Sequence, residues 1–443
     1  MTQRGVLPAS DWPALLQWAQ REEYPEGSLL QGAGEAPDHF YVILEGQISV
    51  DSGPEAAGAV ANSRLGPGEL AGALAFFSGN HRDSELRCAS PCELARVCRS
   101  TFDTLLDENP GLWRKLEEIG LAQMRRTQLA GHLDRLFGPF GAMMPHILRE
   151  LEADMQWQTL SSGESLFAQG DVGDAAYVLM TGRLEMATTL ADGREIINGT
   201  VVPGETVGEV ALLTGRRRAH TVFAARDSEL VRLSPRSFDL MLQRNTRAIH
   251  NVSRILGERL AQGPVARDNS VMPIRCISLL PASPDLDLEE LAAGFERCMG
   301  KHGSTCQLDS VTVDSALGSQ GIAQANGGDA AGLRLGQWLC EQEEHWRYLL
   351  YRGDSQWSPW SARCARQTDQ VVVVADALGN CDLKDLSARF SGPRQRWNLV
   401  LLHPQNLQRP RDSASWLGQT TAENIYHIRR GNQADLERLV RIL

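Results

Sequence analysis

The sequence predicts a multidomain protein: two tandem antiparallel β-barrels of jelly-roll type with flanking helices, then a Rossmann-like α/β domain with a parallel sheet. Three observations carry this. The first part of the chain repeats itself at a constant offset, both copies are built of short strands divided by glycine turns, and the last third changes to long apolar runs alternating with helical stretches. At 443 residues with 42% hydrophobic content, the chain is too long for one compact core.

The duplication is read by sliding the chain against itself so that Gly27 meets Gly163. Gly46 then meets Gly182, Gly68-Glu69 meets Gly204-Glu205, Gly72 meets Gly208 and Arg82 meets Arg218, with no gap between them. Tyr41-Val42 against Tyr177-Val178 and Phe102-Asp103 against Phe238-Asp239 keep the register. So long a period means duplicated domains, since solenoid repeats run to about 50 residues at most.

In the first copy, segments 28–34, 38–50 and 93–100 read as strands, and in the second 164–190 and 229–235 do. Each barrel is expected to be followed by helices, over 100–136 (Leu112, Leu116, Ile119, Leu121) and 234–260 (Ile249, Val252, Ile255, Leu256, Leu260), on their apolar spacing. The domains are placed at 1–136, 137–262 and 273–443, with a polar, Gly-Pro-containing linker at 263–272.

In the last domain, apolar runs at 274–280, 306–313, 347–351, 370–376, 397–403 and 424–430 read as strands, and 288–299, 333–346, 358–367 and 382–390 as helices. Strands without polar alternation belong to a parallel sheet buried on both faces. No GxGxxG follows the first strand and no GxxxxGK[ST] occurs, so the sheet carries no nucleotide signature of its own. His403 and Asp376 end strands, Gly353-Asp354-Ser355 and Gly318-Ser319-Gln320-Gly321 do not form a GxSxG elbow, and none of these is assigned a catalytic role.

Composition narrows the function. A net charge of -11 disfavours a nucleic-acid scaffold, and without a predicted helix-turn-helix after the second barrel a transcription factor is excluded. The N-terminus has no apolar signal core and no stretch reaches the length that spans a bilayer, so a cytoplasmic location is expected. The nine Cys include no CxxC pair, and Cys88, Cys92 and Cys98 read as reduced thiols rather than metal ligands.

The chemistry concentrates at 203–222. Gly208 allows close backbone approach, the helix opening at Glu209 offers free N–H groups to an anion, and Arg218 supplies a planar fork for phosphate oxygens. Glu209 can accept from a ribose 2'-hydroxyl, Ala219 leaves its own N–H unobstructed, and the Thr221 hydroxyl can reach a phosphate or a purine edge. The segment resembles the phosphate-binding cassette of cyclic nucleotide-binding domains. That resemblance implies a cyclic nucleotide ligand, cAMP or cGMP, held by Gly208, Glu209, Arg218, Ala219 and Thr221, with no metal. Two readings stay open: a working site, or a barrel whose glycines and apolar residues keep the fold after binding was lost. His220 stands where a small residue is usual, and the Arg216-Arg217-Arg218 run also suits a solvated loop. In the first copy Ala73 stands opposite Glu209 and Glu85 opposite Thr221, which leaves Arg82 expected to pair with Asp83 and Glu85 rather than with a phosphate.

Trp338-Leu339, Gln342-Glu343, Leu350-Tyr351, Ser358-Pro359-Trp360, Arg366-Gln367, Asp369 and Leu401-Leu402-His403 resemble the segment that precedes the hydrolase domain in neuropathy target esterase and bacterial patatin-like phospholipases. With the barrels, the resemblance covers nearly the whole chain. It implies a regulatory region controlling a C-terminal patatin domain in cis, a serine lysophospholipase, with peripheral membrane contact compatible. The amphipathic stretch 435–443 ends without a cap, and the chain is expected to be the regulatory front of a longer enzyme, silent in catalysis by itself. The alternative is an interaction scaffold built from barrels that bind no nucleotide.

Overall fold

The computed structural model describes residues 12–52, 63–78, 84–108, 154–244, 275–326, 330–379, 397–407 and 422–443, apart from 33, 37 and 191, with scattered positions at 111–133 and residues 257 and 416. The linker 263–272, Arg82, Asp83 and the expected helix 382–390 lie outside the described residues, as do Leu112, Leu121 and the apolar positions quoted for 249–260.

The first barrel is made of β1 (Gln20–Tyr24), β2 (Leu29–Gln31), β3 (His39–Glu45), β4 (Ile48–Ser52), β5 (Ser63–Leu65), β6 (Leu70–Ala71), β7 (Ser84–Cys88) and β8 (Cys92–Cys98). The second runs β9 (Gln156–Leu160), β10 (Ser165–Phe167), β11 (Ala176–Thr181), β12 (Leu184–Thr189), β13 (Glu195–Val201), β14 (Thr206–Val207), β15 (Thr221–Ala224) and β16 (Ser228–Leu233). Their sheets are superposable in order: β1-β8-β3-β6 and β2-β7-β4-β5 in one, β9-β16-β11-β14 and β10-β15-β12-β13 in the other. All pairings are antiparallel, so the register read from the sequence is also the register of the fold. Missing from the sequence reading were β1, β5, β6, β7, β9, β13, β14 and β15; of these, β1, β9 and β13 are half exposed and carry weak alternation.

Each barrel buries its own apolar set, Phe40, Val42, Phe76 and Phe102 in the first and Tyr177, Leu179, Leu184 and Leu230 in the second. Helices Arg99–Glu108 and Pro235–Arg244 follow the barrels, at the start of the two expected helical stretches, and Leu116 and Ile119 are buried beside the first barrel. Between the barrels, Arg125 donates to Glu229 of β16 at 2.7 Å, so the residues after the first barrel also brace the second.

The last domain is a six-stranded, wholly parallel sheet of β17 (Cys276–Pro281), β18 (Thr305–Leu308), β19 (Tyr348–Arg352), β20 (Gln370–Asp376), β21 (Trp397–His403) and β22 (Asn424–Arg429). Strand order is β18-β19-β17-β20-β21-β22, an α/β sheet with apolar clusters on both faces. One expected strand is shorter than its apolar run. In segment 306–313 the strand stops at Leu308, because Asp309 accepts the N–H of Thr312 at 2.7 Å and caps the helix Ser310–Ala316. Capping overrides the β propensity of Val311 and Val313. Among the described residues, no helix is long and apolar enough to cross a membrane.

Candidate functional site

The cassette of the second barrel is a turn, a short helix and a loop feeding β15. Gly208 caps the helix Glu209–Thr214 with φ +87°, and a Cβ there would sit 2.5 Å from an Arg218 guanidinium nitrogen and 3.2 Å from the Ala175 carbonyl. Only glycine fits a backbone both left-handed and this closely covered. Gly215, also left-handed, ends the helix and turns the chain toward Arg218.

The structure brings Gly208, Glu209 and Arg218 together. Glu209 and Arg218 are buried, at 1% and 3% exposure. Arg218 donates from Nη1 to the Gly208 carbonyl at 2.8 Å and from Nη2 to the Ala175 carbonyl at 2.8 Å, with Asp174 at 3.3 Å. Its guanidinium lies 4.1 Å over the ring of Phe167. Asp174 also pairs with Arg232 at 2.9 Å; although burial acts to raise its carboxyl, these two arginines hold it below the usual carboxylate range. Ala219 is exposed, and Thr221 opens β15 with its hydroxyl oxygen accepting the N–H of Gln169 at 3.0 Å. Thus three of the five sequence-selected residues come together, Glu209 and Arg218 buried among them, while Ala219 lies on the loop that follows and Thr221 at the start of β15.

Asp174, Phe167 and Arg232 were not selected from the sequence. Phe167 lies on β10, Asp174 in the loop before β11 and Arg232 on β16, all outside the cassette segment, and no motif marks them. His220 turns away from Arg218 into a polar trio with Thr188 at 2.9 Å and Asn198 at 3.0 Å, which accounts for its departure from a small residue. In the first barrel, Ala73 is buried at 2% and begins the helix Ala73–Ser78, so no carboxylate occupies the position of Glu209. Glu85 forms an ion pair with Arg87, and Arg82, its expected partner, lies outside the described residues.

The α/β domain offers less. The turn after β17 leads through Asp285, Asp287 and Glu289 into the helix Glu289–Met299, placing acidic groups where a phosphate would need N–H donors. Asp354 is consumed by Ser310 at 2.6 Å, Gln324 at 2.9 Å and Ser358 at 2.5 Å. His403 and His427 stack with ring nitrogens 2.9 Å apart, and burial pushes both imidazoles down. Asp376 pairs with Arg430 at 2.9 Å. Among the described residues, no group of three or more His, Cys, Asp and Glu could hold a metal ion.

Compared with known proteins, residues 21–109 and 157–245 match the cyclic nucleotide-binding domain, and residues 273–442 match the Neuropathy Target Esterase family P-loop like domain. Patatin-like phospholipase domain-containing protein 6 of Mus musculus is 26% identical over 415 residues, 88% of this chain and 28% of that protein. Patatin-like phospholipase domain-containing protein 7 of the same species is 24% identical over 421 residues, 89% and 29% respectively. Neuropathy target esterase sws of Drosophila virilis is 28% identical over 369 residues, 79% of this chain and 23% of that protein. The chain therefore spans roughly a quarter of the length of the curated relatives it matches. Among solved structures, the regulatory domain of Toxoplasma gondii PKA with cAMP is 18% identical with a TM-score of 0.26, covering 58% of this chain and 90% of that one.

Proposed function

From a chain that carries two cyclic nucleotide-binding domains followed by the P-loop like domain of the neuropathy target esterase family, we infer a regulatory region that senses a cyclic nucleotide through its second barrel. The observation that carries this reading is the convergence of Gly208, Glu209 and Arg218 at one helix N-terminus. Helix N–H groups and a guanidinium fork favour a phosphate, and a carboxylate beside them favours a ribose hydroxyl. Ala219, on the loop after Arg218, and Thr221, at the start of β15, complete the contacts. The nucleotide is cAMP or cGMP, and the output is control of a patatin-type lysophospholipase domain in cis, acting at a membrane periphery in the cytoplasm.

Calorimetric titration with cAMP and with cGMP tests the reading, with micromolar or tighter binding to one of them expected. Absence of heat and of any thermal shift for both ligands at millimolar concentration would overturn it.

One observation favours a second reading. Every donor direction of Arg218 that meets a partner is spent on Gly208, Ala175 or Asp174, which is also what a purely structural arginine would do. In that reading the barrels are an interaction scaffold, and the titration separates the two.

A further inference from the structure

The second barrel meets the α/β domain through charge. Two barrel turns face that domain: β11–β12 brings Arg183, and β15–β16 brings Arg226 and Asp227. Opposite them stand Glu343 on the helix Ala330–His345, Arg366 on the helix Pro359–Gln367, and Asp369 just before β20. Arg226 is 1% exposed, forms a short ion pair with Glu343 and donates to Asp369 at 2.6 Å. Arg183 reaches the same Asp369 oxygen at 2.8 Å, and Arg366 reaches Asp227 at 2.6 Å. The second Asp369 oxygen accepts the N–H groups of Arg275 at 2.9 Å and Cys276 at 3.0 Å, which fixes the start of β17.

Burying an arginine is costly unless carboxylates are held in place to meet it, and here two arginines meet two carboxylates from the other domain. The duplication supplies an internal control. At the positions of Arg183, Arg226 and Asp227 the first barrel has Gln47, Ser90 and Pro91, and the Gln47 N–H simply donates to the Ser90 hydroxyl at 2.9 Å. The barrel fold therefore does not require charge in these turns; contact with the α/β domain does.

The position of β15 gives the contact a direction. Thr221, at the end of the cassette, begins the strand, and Arg226 lies two residues past its end at Ala224. The strand pairs with β10 on one edge and β12 on the other, so it moves as a rigid piece. Gly182, with φ +91°, has the Asp227 carbonyl 2.4 Å from where its Cβ would be, so the two turns are stacked and shift together.

We propose that the Arg183/Arg226–Glu343/Asp369 cluster couples the cassette of the second barrel to the α/β domain, with β15 as the rod between them. The ligand part of this rests on the cyclic nucleotide reading above; the mechanical part does not. Hydrogen exchange on the full chain tests both. Asp369→Asn keeps the shape and removes the charge, and Arg183→Gln is a milder second variant should the first fold poorly. Without ligand, either variant is expected to speed exchange in 221–229 and 275–281 together, roughly tenfold for Asp369→Asn, while 20–52 of the first barrel is unchanged. Acceleration confined to one side of the contact would overturn the proposal. With saturating cAMP or cGMP, whichever binds by calorimetry, protection is expected to extend to 340–351 and 366–376 in the wild type and to disappear there in Asp369→Asn. Protection confined to the barrel in the wild type, or undiminished across the contact in the variant, would also overturn it. If neither nucleotide gives heat, the ligand reading falls and the ligand-free comparison alone decides the coupling.

Discussion

Arg218 answers two demands on one guanidinium. It ties the Gly208 and Ala175 carbonyls together, and in the proposed function it is also the cation that would meet a phosphate. Arg218→Ala is therefore expected to act twice: leaving two carbonyls without donors lowers unfolding stability by about 1–3 kcal/mol, and cyclic nucleotide affinity falls by about 2–4 kcal/mol, ~30-fold or more. Glu209→Ala is expected to weaken binding less, with the difference shrinking for a 2'-deoxy cyclic nucleotide; equal losses for ribo and deoxy ligands would remove Glu209 from the ribose. Urea unfolding and calorimetry on the same samples separate the two effects. A second residue-scale consequence concerns pH. At the domain contact, burial raises both carboxyls, yet Arg226, Arg183 and two backbone N–H groups hold Asp369 below its ordinary value, while Glu343 is pushed up. A depressed carboxyl contributes stability above its unfolded value of about 3.9 and loses it as pH falls through the folded value. Below about pH 4 the wild type is therefore expected to lose stability more steeply than Asp369→Asn, whose amide cannot titrate. Parallel denaturation midpoints across that range check it.

At the scale of elements, local rules decided more than hydropathy. The strands β3, β11, β20 and β21 were legible because they are nearly continuous apolar runs, whereas β1, β9 and β13 expose alternate residues to solvent and blur into loop. Segment 306–313 shows the opposite failure: Val311, Thr312 and Val313 suggest that the strand continues, but Asp309 diverts the chain into a helix. Asp309 also pairs with Arg352 at 2.6 Å, and that pair together with the cap holds its carboxyl below the usual range despite burial. Asp309→Ala is expected to cost about 1–2 kcal/mol, mostly from the lost cap. Asp309→Asn is expected to recover most of it, since an amide oxygen caps as well as a carboxylate. If alanine and asparagine cost the same, the ion pair with Arg352 dominates the cap. Urea midpoints of the two variants decide.

For the whole molecule, the duplication was readable because glycines at fixed turns preserve register, while the domain contact was not. Its partners, Arg183 with Asp369 and Arg226 with Asp369, stand 186 and 143 positions apart and carry no shared motif. The same duplication makes the differences between the copies interpretable, since what differs between them is not needed for the barrel. Under the proposed function, Ala73 in place of Glu209 would leave the first barrel without a ribose acceptor, and Glu85, paired with Arg87, puts a negative charge where the second barrel has Thr221. Calorimetry is therefore expected to find at most one cyclic nucleotide per chain, with ligand at 100 times its dissociation constant adding about 2.7 kcal/mol to the stability of the second barrel. Arg82→Ala is expected to leave affinity within about twofold, in contrast to Arg218→Ala, because Ala73 and Glu85 stand where the second barrel has Glu209 and Thr221. Two equivalent sites, or equal losses from the two arginine substitutions, would place the ligand in the first barrel as well and make the loss of its carboxylate irrelevant to binding.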